Sequence, residues 1–238
     1  RKEGPTERNV GHSDCVLELC PGIEMRHLER NCEVLSVLLW YHEPGFVVDG
    51  ENELSGNFEL SGEVVNASFE EYSKPPIGWY YRGAHFSSVM RYWSSATAAS
   101  PDAFGPKVRV PEHWVDRGFG DQFSHSGESM VGITVYGCDE GKPHCREYVQ
   151  VQLLEPLVPN QQYYLEFWTV PLPRSLQTNN IGVHFANGRT NVRVDAPIEL
   201  QPDFNSTNII TTDTHEWVKV SGQFTASSNA DYIMIGNF

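Results

Sequence analysis

The chain has 238 residues, 39% of them apolar and 20% charged, and carries a formal net charge of -14. Such a chain buries a real core, either as one large all-β domain or as a domain with an extension, and is neither disordered nor membrane-spanning. The negative charge speaks against DNA, RNA and anionic membrane surfaces as partners, because those rest on Lys and Arg neutralising fixed phosphates, while an excess of carboxylates suits calcium.

Residues 1–62 mix charged residues, Cys15, Cys20, Cys32, His12 and His27 without a sustained helical or strand period. The cysteine and histidine spacings match no standard zinc pattern, and their pairing stays open. A short helix is predicted over 24–30, after Pro21-Gly22. The apolar run 34–40, interrupted by Ser36, is too short to cross a bilayer and predicts a core strand. The opening residue is Arg1 rather than Met, as expected of a processed or cut terminus, and no signal peptide is visible. We divide the chain into this mostly irregular extension, which packs on or completes the fold, and a domain over 63–238.

Beyond residue 63 the chain turns to short β-type runs separated by Gly, Pro, Asn and Asp. "SMVGITVYG" alternates with period two. "REYVQVQLLEPL" sets Val149, Val151 and Leu153 on one face and Tyr148, Gln150 and Gln152 on the other. "QQYYLEFWTVPL" does the same with Tyr163, Leu165 and Phe167 against Tyr164, Glu166 and Trp168. "NIGVHFA", "APIELQ", "EWVKVSGQFTA" and "DYIMIGNF" follow, with no convincing amphipathic helix. Two packed antiparallel sheets in a jelly-roll β-sandwich hide the edges of such a chain. The polar stretch 80–122 lacks alternation and reads as loops, where binding residues tend to sit. Cys138 and Cys145 bracket the Gly/Pro turn "CDEGKPHC", so a disulfide stapling a hairpin in an oxidising compartment is the natural reading, against two reduced thiols in a cytosolic loop.

Taken in order, "VVNASFEEY", "HSGESMVGITVY", "REYVQVQLLEPLVPNQQYYLEFWTV", "NNIGVHFA" and "EWVKVSGQFTASSNADYIMIGNF" resemble the galactose-binding-like jelly-roll domains of exported and OmpA-associated outer-membrane proteins of Bacteroidetes-type bacteria. These are related in shape to calcium-containing carbohydrate-binding modules. The resemblance implies a secreted, cell-surface or periplasmic protein with one structural calcium. Glu70 would be a ligand, with Asn66 or Glu71 beside it. Members of that family usually continue past "IGNF" into an acidic final strand. Its absence here implies an open sheet edge, which "EVLSVLLWY" of this chain or of a neighbour would fill by strand addition.

Sugar rings pack their C–H faces on flat aromatic surfaces. Trp79, Tyr80, Tyr81, Tyr92, Trp93 and Trp114 crowd in or beside the irregular stretch. With Arg82, Arg91 and Asn179 or Asn180 they form the expected carbohydrate site; its core is Trp79, Tyr81, Arg82, Trp93 and Trp114. Trp168 and Trp217 fall in regular strands and are assigned to packing. Enzyme signatures are weak. "GHSDC" and "SHSGES" lack the G-x-S-x-G elbow, and no H-E-x-x-H or phosphate loop occurs. Glu70-Glu71 and Asp139-Glu140 are sequence neighbours that point to opposite faces of a strand. The expected function is therefore non-catalytic binding of a polysaccharide or cell-envelope glycan. Behind it stand a filament or surface-layer subunit that self-associates through an open edge, and a carbohydrate-active enzyme whose site is assembled from distant strands.

Overall fold

The computed structural model describes residues 64–78, 82–109, 122–136, 146–172, 178–206, 210 and 216–238, together with the backbone of 31–41. The strands are β1 (Asn31–Tyr41), β2 (Ser94–Ser95), β3 (Asp102–Phe104), β4 (Met130–Tyr136), β5 (Val149–Gln152), β6 (Gln162–Pro171), β7 (Gly182–Ala186), β8 (Phe204–Asn205), β9 (Val218–Thr225) and β10 (Tyr232–Gly236). They form two five-stranded antiparallel sheets, in the orders β3-β4-β1-β6-β9 and β2-β5-β10-β7-β8. The described part of the chain is thus all-β, with one short helix, α1 (Gly83–Val89).

Alternation explains the core. On β6, Tyr163, Leu165 and Phe167 are buried, while Tyr164, Glu166 and Trp168 between them are half-buried. A strand sends successive side chains to opposite faces, so one face of β6 seals a core and the other looks outward. Ile133 and Val135 of β4, Val149 and Val151 of β5, Val183 and Phe185 of β7, and Ile233 and Ile235 of β10 complete a single apolar cluster drawn from both sheets. Burying each such side chain stabilises by about 1.5–3 kcal/mol. Phe185 and Phe224 stack across the sheets at 4.4 Å. Phe204 of β8 lies so close over Gly222 of β9 that a Cβ there would collide with its ring, so this position requires glycine.

The apolar run predicted as a strand is β1, in the middle of the first sheet. It pairs antiparallel with β4 from Asn31↔Tyr136 to Leu35↔Val131 and with β6 from Glu33↔Pro171 to Tyr41↔Tyr163. A segment from the N-terminal 62 residues is therefore built into the sheet. The helix expected over 24–30 lies outside the described residues.

Two expectations differ from the structure. The stretch 80–122 is not wholly loop, since α1, β2 and β3 form there. Helix α1 buries Gly83, Phe86 and Val89 at three-residue intervals, and seven residues are too few to display a period in the sequence. "APIELQ" forms no strand.

The second sheet is covered on its outer face as well. Tyr148, Met234, Ala96 and Ile198 make a smaller apolar cluster there, and Gln150 is buried with every polar atom used. Its Nε2 donates to the Thr190 carbonyl at 2.6 Å and the Ser95 carbonyl at 3.3 Å, and its Oε1 accepts from Thr190 N at 2.9 Å. This covering makes Gln150 a core residue although its register suggested a solvent face. The outer face of β6 and β9 keeps half-buried side chains instead, and it carries the site.

Candidate functional site

The outward residues of β6 meet those of β9 in register: Trp168 opposite Lys219, Glu166 opposite Ser221 and Tyr164 opposite Gln223. Cross-strand neighbours at this spacing touch. Lys219 Nζ lies 3.5 Å from Glu166 Oε2 and 5.9 Å from the centre of the Trp168 ring. The Tyr164 hydroxyl donates to the same Glu166 oxygen at 3.3 Å. Glu166 thus holds a phenol and an ammonium beside an indole. Trp217, just before β9, adds a second half-buried indole.

The loop 122–129 lies against these rings. Trp217 Nε1 donates to the Phe123 carbonyl at 3.0 Å. The His125 imidazole stacks on Trp168 at 4.2 Å between ring centres and 21° between planes, and meets Trp217 edge-on at 5.7 Å. Burial pushes the His125 pKa below its ordinary value, and Glu166 offsets part of that. The Phe123 side chain is 83% exposed beside them.

Glu70 fastens the far end of the loop. Its Oε1 accepts from Glu128 N at 2.8 Å and Ser129 N at 2.9 Å, and its Oε2 accepts from the Ser129 hydroxyl at 3.2 Å. Gly127 turns the chain at a φ of +64°, and a Cβ there would collide with Glu70 Oε1. Ser124 closes the turn by donating to the Gly127 carbonyl at 2.8 Å. The Ser124 hydroxyl thus spends its proton on its own turn.

The residues expected to form the site are placed otherwise. Trp93 is 1% exposed, packs on Phe69 at 4.8 Å and donates from Nε1 to the Asn66 carbonyl at 2.9 Å. A ring enclosed in this way offers no face to a sugar, and the expectation that Trp93 stacks on one is corrected. Tyr92 is exposed, with the Arg91 guanidinium 5.9 Å from its ring centre and Arg91 paired to Glu71 at 3.3 Å. Arg82 is exposed at the start of α1. Asn180 is tied to Asn237 and Asn205 near the end of the chain. Trp79, Tyr80, Tyr81, Trp114, Cys138 and Cys145 lie outside the described residues.

Asn66 and Glu70 do not fit a calcium pair. The Asn66 side chain is consumed by its own turn: Oδ1 accepts from Glu71 N at 2.9 Å, and Nδ2 donates to the Glu71 and Arg91 carbonyls at 2.8 and 3.0 Å. Its backbone carbonyl accepts from Phe69 N and Trp93 Nε1. Glu70 is aimed at the 128–129 backbone. Oxygens that already receive N–H donors are poor partners for a hard cation that needs six or more of them. Among the described residues no group of three or more His, Cys, Asp or Glu side chains gathers into a metal cluster.

The sequence assigned Trp168 and Trp217 to packing, and both are half-buried against His125, which it gave no role. The signal was present in the alternation of β6, which placed Tyr164, Glu166 and Trp168 opposite the core-facing residues. His125 carried no signal, because its partners lie 43 and 92 positions away in the chain.

No protein-family model, curated protein or solved structure matches this chain.

Proposed function

We propose that this chain is a non-catalytic binding domain, a jelly-roll sandwich of the galactose-binding-like kind working outside the cell or at its envelope, and that it takes a glycan on the outer face of β6 and β9. The observation that carries this reading is the row Tyr164, Glu166, Trp168 with Lys219 across from it and Trp217 beside it. Flat rings supply apolar faces at little rotamer cost, and the Glu166–Lys219 pair supplies an acceptor and a donor for hydroxyl groups at the ring edge. From residue 164 to 168 the row runs about 13 Å at ~3.3 Å per residue, long enough for more than one sugar unit.

Native affinity electrophoresis through gels containing soluble polysaccharides tests it. Wild-type protein should be retarded by at least one polymer, and Trp168→Ala should migrate as in a plain gel while keeping its melting temperature. Equal retardation of both proteins would refute the site.

A second reading is favoured by β1. A strand that pairs on both sides and is joined to the rest through residues 42–63 is suited to exchange between copies, which would make the chain a subunit of an extracellular assembly. Size exclusion at rising concentration separates the two readings, because exchange yields dimers or longer chains and a binding module stays one size.

A further inference from the structure

The His125 ring lies parallel to the Trp168 indole at stacking distance, in the position that the face of a bound sugar would occupy. Its backbone is not held by Trp168 at all. The loop is secured at one end by the Glu70 carboxylate on Glu128 N and Ser129 N, and at the other by Trp217 Nε1 on the Phe123 carbonyl. His125 itself is exposed and reaches the indole only through its side chain. Neither anchor involves the His125 side chain.

We propose that His125 is a built-in occupant of the Trp168 stacking face, which a pyranose displaces on binding, and that Glu70 and Gly127 set the loop so that this ring rests there. The inference depends on the glycan reading of the same face. Nearby charges restrict the class of sugar. Lys219 lies over the Trp168 ring and is paired with Glu166, so neither a uronate nor an amino sugar gains a free counter-charge there. A neutral pyranose uses both, one hydroxyl donating to Glu166 and another accepting from Lys219. The chain's net charge of -14 also disfavours acidic polymers.

Two variants test the idea, both read by affinity electrophoresis in gels of neutral hydroxyethylcellulose, neutral galactomannan and acidic polygalacturonate. His125→Ala removes the competing ring. Gly127→Ala pushes the loop off Glu70, through the collision of its Cβ and through its positive φ. The result expected is tighter retention of both variants on a neutral polymer, by about fivefold for His125→Ala, the size of one aromatic stack no longer given up. No gain is expected on polygalacturonate. A ligand-independent readout accompanies them: stacking shifts the His125 ring-proton NMR signals upfield, and Trp168→Leu should return them to ordinary positions.

Weaker or unchanged retention of His125→Ala, with wild-type binding still lost in Trp168→Ala, would overturn the displacement and leave the glycan site standing. Retention by no polymer in any variant would remove both. His125 signals indifferent to Trp168→Leu would overturn the occupant role directly.

Discussion

Glu70 and Gly127 act as one unit. The carboxylate collects two backbone N–H groups and a hydroxyl, and the glycine supplies both the positive φ and the space that lets it approach. Gly127→Ala should cost about 1–2 kcal/mol in urea unfolding, since it adds a strained left-handed residue and a collision. At Glu147 the titration runs in the opposite sense from most carboxylates. Burial pushes its pKa up to about 7, against the donated N–H of Thr134 at 2.7 Å, and nearby Asp195 adds to the rise. The folded state then holds this proton more tightly than the unfolded chain. Stability from Glu147 is fully present below its ordinary value near 4.5 and is lost as pH rises through about 7.

His184 works in the same direction. The hydrogen bond that the His184 ring donates to the Asp203 carboxylate raises its pKa, so its contribution is present below about 6.5 and fades as pH passes through the raised folded value. For Asp203, burial pushes upward but is outweighed by the His184 contact and the Phe185 N–H, leaving it lowered. Its share is lost only as pH falls through that lowered value. The melting temperature should therefore be higher at pH 5.5 than at pH 8, and Glu147→Gln should flatten much of the difference. A rising melting temperature over that interval would contradict the assignment.

Among the elements, β1 sets the strongest condition on the fold. It stands between β4 and β6, so a proline at its middle would remove a ladder donor and clash within a central strand. Leu38→Pro, opposite Glu166, should unfold at markedly lower urea or fail to fold, whereas an equally apolar segment lying outside the sheet would tolerate the change.

The legibility of the elements follows from their length. β4, β6, β9 and β10 are long enough for alternation to show, and β6 announced its two faces residue by residue. The two- and three-residue strands β2 and β3 are held by contacts distant in sequence, such as Ser94↔Gln150 and Asp102↔Gly132, and no local pattern encodes those. Residue-type reasoning failed at Trp93 for a similar reason. An indole in a polar stretch reads as exposed, yet left-handed turns at Asn66 and Phe69 bring a carbonyl and a ring to cover it. Glu70 looked like a cation ligand because its partners, 58 and 59 positions away, are backbone N–H groups that no side-chain motif records.

At the scale of the whole molecule the two sheets differ in what they leave open. The second has both faces covered, by the shared core and by the two segments carrying Ala96 and Ile198. The first keeps a half-buried aromatic and charged strip along β6 and β9, and the proposed function rests on that asymmetry. The most direct measurement follows the indole Nε1–H signals in a ¹⁵N–¹H spectrum while soluble neutral polysaccharides are added. The Trp168 and Trp217 signals should move together at saturable concentrations while Trp93 stays fixed. A shift of Trp93, or a spectrum in which the Trp168 and Trp217 signals answer no polymer, would contradict a glycan site on this face.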